Sequence, residues 1–261
     1  MTAAFSTHLN LFVATSDPRR YVARPATELA LARLERAVVR ERAPATLLGG
    51  PPGMGKSMLL RVLATRLRVG HRTVALCGAD LDAATFCTLL CDLLRVDANG
   101  DPERALLFRA AAAEARGAAL VVIVDDAHRL ARATAGRLGA LAETSEGLRV
   151  VAASSEPSEA LARALGARTS VVLDAPMDLP ETCAYVDSVL AAGWASPAVR
   201  ELFDAGALRR IHRLAAGVPA EVNRLAGEHA DAAVREGFVP EPGRSLWRAP
   251  KPADPRRIVP L

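Results

Sequence analysis

Lysine is almost missing from this chain: of 33 basic side chains only Lys56 and Lys251 are lysine, and the rest are arginine. Aromatic residues are also scarce, at 4%, which argues against a stacking platform for single-stranded nucleic acid. There are four cysteines, Cys77, Cys87, Cys91 and Cys183, and no C-x-x-C pair. Cys87 and Cys91 sit four apart with no histidine near them in sequence, so core packing is the expectation rather than a metal site. No run reaches 18 uncharged apolar residues, so no transmembrane helix is expected. Free thiols without a secretory leader point to a cytoplasmic protein.

What is present is an aliphatic, Ala/Leu/Val-rich chain, 51% hydrophobic over 261 residues. That is enough for one large α/β domain, or a domain with a small lid. The net charge of +4 is unevenly placed. Residues 240–261 hold five basic side chains (Arg244, Arg248, Lys251, Arg256, Arg257) and two acidic ones, Glu241 and Asp254. The remainder carries 28 basic and 27 acidic residues and is close to neutral. Basic charge alone therefore says little about nucleic acid. The tail does leave DNA as a candidate partner, although polybasic tails more often just solvate.

Short β-rich runs alternate with helical stretches. The runs are Thr46–Gly49, Thr73–Cys77, Leu120–Val124, Val150–Ala153 and Ser170–Leu173. The helices are Lys56–Val69, Ala83–Leu94, Pro102–Arg116, Thr134–Thr144 and Ser158–Leu165, preceded by Thr27–Arg42 with Thr27 as the expected N-cap. The alternation predicts an α/β fold, a parallel sheet sandwiched by helices. Continuous rather than alternating apolar strands are expected where both faces are covered. After Asp174 only helices are expected: Glu181–Ala192, Ser196–Asp204, Ala207–Ala216 and Pro219–Glu236. Gly193 and Gly217 fit helix ends. The predicted organisation is an α/β nucleotide-binding domain over 1–175, a helical lid over 176–238, and a disordered basic tail over 239–261 with six of the 17 prolines.

Lys56 closes Gly50-Pro51-Pro52-Gly53-Met54-Gly55-Lys56-Ser57, which matches G-x-x-x-x-G-K-[ST] between a predicted strand and a predicted helix. A glycine turn before a helix is the plainer reading. Strand, spacing, lysine and serine together favour a phosphate loop. Its backbone N–H groups would cradle phosphate oxygens at a helix N-terminus. A compact ammonium fits such a loop where a guanidinium fork does not. Lys56 would reach the β- and γ-phosphates and Ser57 would ligate Mg²⁺. The binding run extends from Gly50 to Met58.

A second element, Leu120–Val124 followed by Asp125-Asp126-Ala127-His128, is an apolar strand ending in carboxylates. Asp125 would hold Mg²⁺ and Asp126 would deprotonate the attacking water. The alternative is that both aspartates cap the next helix. At the end of Arg149–Ser155, the polar residues Ser154, Ser155 and Glu156 offer a γ-phosphate contact or an ordinary turn.

Four stretches together resemble the AAA+ ATPases, most of all the ExeA-type accessory ATPases of secretion and their TniB- and MuB-type transposition relatives. They are Leu9–Phe12 with Ser16–Tyr21; Gly50–Ser57; Val122–Leu130; and Leu179–Val186 with Ala192-Gly193 and Gly217–Asn223. The resemblance spans roughly residues 9–238. It implies ATP with Mg²⁺, a site between α/β domain and lid, homo-oligomer assembly, and an arginine reaching the next subunit's γ-phosphate. Arg168 matches that position and Arg163 less well; a solvated surface arginine is the alternative. Two residues depart from the family pattern. Asp126 stands where glutamate is usual, and Ala220 stands where the lid arginine is usual, with Arg224 one turn later. The expected activity is slow ATP hydrolysis that switches assembly or partner binding. The alternatives are a non-hydrolysing binding module or a DNA-binding transposition-targeting ATPase.

Overall fold

The computed structural model describes residues 11–13, 15, 17–155 and 159–235. The expected tail, and Leu9, Asn10, Ser16, Glu156, Ser158 and Glu236, lie outside the described residues.

Five strands form one parallel sheet: β1 (Ala45–Gly49), β2 (Arg72–Cys77), β3 (Leu120–Asp125), β4 (Leu148–Ser154) and β5 (Thr169–Val172). Their spatial order is β2-β3-β4-β1-β5. Parallel neighbours need crossovers, and helices supply them. These are α1 (Pro25–Val39) ahead of β1, then α2 (Lys56–Leu67), α3 (Ala83–Leu94), α4 (Pro102–Glu114), α5 (Arg132–Thr144) and α6 (Glu159–Ala164).

β4 shows why the strands read as continuous apolar runs. Val150 and Ala152 face one core, with Leu90, Leu106 and Leu138 of α3, α4 and α5. Val151 and Ala153 face the other, with Leu34 of α1 and Leu63 of α2. Alternation along a strand sends neighbours to opposite faces, and here both faces are dry. Cys87 and Cys91 lie in the first of these cores. No group of three metal-ligating side chains occurs among the described residues.

Four helices follow the sheet: α7 (Leu179–Ala192), α8 (Pro197–Glu201), α9 (Ala205–Ala215) and α10 (Pro219–Arg235). They bury a third cluster of their own, including Val186, Leu190, Phe203, Ile211 and Val222, with Leu11 and Phe12 packed into it. Ser196 caps α8 as its Ser-Pro pair suggests, but that helix stops at Glu201. Asp204 then caps α9, whose Ala207 N–H donates to Asp204 Oδ1 at 2.7 Å. No helix among the described residues is long and apolar enough to cross a membrane.

One local expectation is corrected. Thr27 is not the N-cap of α1. Arg24 holds that place, Pro25 starts the helix, and Thr27 is the third helical residue, its Oγ1 accepting from Arg24 N–H at 3.1 Å. Proline at the first helical position moved the cap three residues earlier. Gly193 does end α7, but with φ of −86°. The left-handed residue is Trp194, at φ 55°.

Candidate functional site

The phosphate loop connects β1 to α2 at the carboxyl end of the sheet. Gly50, Gly53 and Gly55 have φ of 150°, 79° and 96°, values that L side chains rarely adopt. Gly50 is further constrained by space, since a Cβ there would lie 2.1 Å from Leu173 O. Met54 is 2% exposed and packs into the core shared by α1 and α2, so it pins the loop from beneath. Met58 also packs against that core. Both belong to the expected binding run and present backbone rather than side chain. Pro51 and Pro52 are exposed.

Lys56 is the first residue of α2, and it is 7% exposed. Its ammonium donates to Gly50 O at 2.7 Å and Pro51 O at 2.8 Å. Burial lowers its pKa, while the carboxylates of Asp125 and Asp126 pull the other way. A cation is thus held inside the loop with two anions close enough to feel it. Ser57 is exposed in the first turn of the same helix.

Asp125 ends β3, and Asp126 follows in a left-handed conformation at φ 47°. Neither caps the next long helix: α5 begins after Ala131 with no side-chain cap. Asp125 Oδ1 accepts from Asp126 N–H at 3.0 Å, and Asp126 Oδ2 accepts from the Cys77 thiol at 3.8 Å. Sequence reading grouped Cys77 with the free thiols. Strand register places it opposite Asp125. Burial raises the Cys77 thiol pKa, and the two aspartates add to the rise, so it stays a protonated donor. Gly78 makes this close approach possible: its N–H donates to Asp125 O at 2.6 Å, and a Cβ would meet Asp126 O at 2.5 Å. Neither residue carries a motif signal; only pairing reveals them.

Ser154 is fully buried at the end of β4, level with Gly49, which leads into the loop. Arg168 lies at the other end of the sheet, ahead of β5, 76% exposed and 3.7 Å from Glu143. It stands at the opposite end of the sheet from its own chain's Lys56. Arg163 pairs with Glu159 on α6.

The helices after β5 touch the loop through backbone. Ala220 N–H, in the first turn of α10, donates to Gly53 O at 3.1 Å. A Cβ on Gly53 would meet Val218 Cγ1 and Ala220 Cβ at 3.0 Å. Arg224 is held by two acids of its own helix, Glu221 at 2.8 Å and Glu228 at 2.7 Å. Near the start of α7, polar residues of the lid pattern meet the segment before α1. Arg24, 5% exposed, donates to Ala175 O at 3.1 Å and lies 3.9 Å from Glu181. Asn223 Nδ2 donates to the Tyr185 hydroxyl at 2.8 Å. An open cleft of about 360 Å³ runs between Arg19–Ala23 and α7; no phosphate-loop residue lines it.

The loop, Lys56 and the carboxylates of Asp125 and Asp126 form one site. A glycine cradle opens a helix N-terminus, a buried ammonium sits in it, and a hydroxyl and a carboxylate suited to Mg²⁺ adjoin it.

Residues 39–166 match the family model described as AAA domain. The fold superposes on the Walker-type ATPase of Pyrococcus abyssi with a TM-score of 0.61 and 16% identity, over 87% of this chain and 73% of that one. Cdc6p from Pyrobaculum aerophilum gives 0.60 and 15%, over 87% and 66%. The RuvB Holliday junction branch migration motor of Thermotoga maritima gives 0.51 and 18%, over 85% and 68%. At these identities the likeness is one of fold. No curated protein matches the chain. The matched segment contains both the phosphate loop and the carboxylate-ended strand, and together with the fold it supports an AAA+ P-loop ATPase that binds nucleotide.

Proposed function

We propose that this chain hydrolyses ATP slowly, in a cleft between an α/β domain ending near residue 175 and a helical lid, and uses the cycle to switch assembly or partner binding. The observation that carries the reading is the buried Lys56 ammonium at the start of α2, with Asp125 and Asp126 in its field. Loop N–H groups and Lys56 bind the β- and γ-phosphates. Ser57 and Asp125 would hold Mg²⁺, which supplies charge neutralisation on the phosphate oxygens. Water attacks the γ-phosphorus in line. The new O–P bond forms as the bond to the β–γ bridging oxygen breaks, and ADP leaves. Asp126 accepts the water's proton, and Lys56 offsets charge on the transferred group.

Cys77 is a positioning residue in this scheme: its thiol engages one Asp126 oxygen and leaves the other for the water. Arg168 acts on the γ-phosphate of a second copy, which makes the homo-oligomer the active form. Its exposure and its distance from its own loop support that role. A cytoplasmic setting and membership of the ExeA/TniB-type branch belong to the same proposal. The branch is supported by the Glu181, Tyr185 and Asn223 lid pattern, and the setting by the free thiols.

The test is ATP turnover measured beside nucleotide affinity. Lys56→Ala is expected to lower turnover by about 10²–10³-fold and to abolish detectable binding. Asp126→Asn is expected to lower turnover by about 10²-fold or more with affinity kept. Unchanged turnover in Asp126→Asn would remove Asp126 as the base and leave a nucleotide-dependent binding module.

A further inference from the structure

Helix α3 (AATFCTLLCDLL) has one charged residue, Asp92, whereas every other helix of ten residues or more among the described residues carries at least two. A helix that is apolar all round is normally buried all round. Only one side of α3 is buried: Phe86, Cys87, Leu90, Cys91 and Leu94 pack into the first core. Ala84, Thr85, Thr88 and Asp92 are exposed, and Leu93 is 48% exposed. An open groove of about 460 Å³ runs along this outer side, lined by Leu81, Ala84, Thr85, Thr88, Leu89 and Asp92.

The surroundings of the groove are acidic. Residues 79–101 hold five aspartates and one arginine. Asp80, Asp82 and Asp92 are exposed, and among the described residues no ion pair within 4 Å holds any of them. The open cleft beside α7 differs, because Arg19 and Arg20 line it. Charge disfavours a second copy seated through the same face, since a two-fold contact would set these aspartates against their own equivalents. It favours a basic, apolar strand, and the chain carries one. Residues 240–261 have five basic and two acidic side chains, and Arg256-Arg257 is their only adjacent basic pair, followed by Ile258 and Val259. The 20 residues between Arg235, the last described, and Arg256 extend up to about 65 Å. A fold of this size has a radius of gyration of about 18 Å, so the segment reaches the groove. Four extended residues measure about 13 Å, and the helix from Ala84 to Asp92 about 12 Å, so the two lengths match.

We propose that Arg256–Val259 of the chain's own tail docks in the groove along α3. The two arginines pair with the aspartates of the groove, and Ile258 and Val259 cover Leu81 and Leu89. The contact is separate from the phosphate loop and does not depend on ATP hydrolysis.

The test uses the full chain with photoreactive benzoylphenylalanine in place of Val259, irradiated at low protein concentration and mapped by mass spectrometry. Cross-links are expected in the monomer band, onto peptides from residues 81–92. R256E/R257E should lower their yield about tenfold or more, because like charges would then face each other. T88R/D92R should do the same from the other side of the contact. Combining the two pairs makes the charges opposite again and should restore the yield, a result that misfolding of either variant would not give. Raising the salt concentration should weaken the parent contact. The proposal is overturned by cross-links that map outside residues 81–92. Cross-links confined to a dimer band would make a second copy the occupant and overturn it too. So would a yield unchanged by either charge-reversed pair, or one that the combination fails to restore.

Discussion

The two sides of the nucleotide cleft are built on different principles. On the sheet side, Lys56, Asp125 and Ser154 stand at strand ends or on the first turn of α2, with both faces of the sheet buried beneath them. On the helical side the loop is met by a backbone bond, Ala220 N–H to Gly53 O, and by Val218, and the nearby Arg224 is tied to two acids. In the proposed scheme the sheet side therefore provides fixed charge, and the helical side provides closure. Affinity for phosphate is expected to depend on the first side and response to nucleotide on the second.

Two neighbouring glycines break this comparison most sharply. In Gly50→Ala the new Cβ meets a backbone oxygen of the sheet, Leu173 O, at 2.1 Å, which cannot be relieved by a side chain moving. Overpacking against backbone, together with the unfavourable φ, is expected to cost about 3 kcal/mol or more in urea unfolding. In Gly53→Ala the Cβ meets only Val218 Cγ1 and Ala220 Cβ, at 3.0 Å, on the helical side. Its stability cost should be about 1–2 kcal/mol, from φ alone. Its main effect should be on turnover, as the start of α10 is pushed off the loop. Equal unfolding costs for the two variants would erase the distinction between the sides.

Arg224→Ala sharpens it. An arginine already paired with Glu221 and Glu228 is poorly placed to replace a missing phosphate contact. Turnover is expected to change less than about twofold, and exposed pairs of this kind add little to stability. A tenfold drop would show that the arginine leaves its acids when nucleotide binds.

The smallest effect concerns Tyr21, in the segment joining the two sides. Burial raises its pKa to about 12, the nearby Thr27 hydroxyl opposes the rise, and donation to Glu28, 2.8 Å away, adds to it. A hydroxyl that ionises later in the folded state contributes stability that is complete below pH 10 and is lost as pH climbs toward 12. Discounted for partial exposure, the contribution is about 1 kcal/mol. Tyr21→Phe should flatten that part of the urea-midpoint profile and lower the midpoint below pH 10, where the parent keeps the contribution.

Much of this molecule was legible in the order of its residues. Apolar runs bounded by turn residues marked all five strands within a residue or two, because a strand buried on both faces leaves no polar alternation. The phosphate loop was legible because its torsions demand glycine at fixed spacing and its ligand demands a compact cation, both of them local requirements. Helix ends were legible where a cap residue met proline, as at Ser196, and misplaced at Thr27, where proline outranked the nearer hydroxyl.

What the sequence by itself determined is the chemistry of single segments: the Gly50–Ser57 loop, the Asp125-Asp126 strand end, and a run of helices after Asp174. Tertiary structure alone decided which of these meet. Parallel register set Cys77 against the aspartates from 48 positions away and let Gly78 approach them. Packing of α10 gave the loop a backbone contact at Ala220, and helix geometry gave Arg224 to its own glutamates. Periodicity and propensity act over a few residues, whereas pairing and charge compensation are settled between elements, and that is where the remaining functional features of this protein lie.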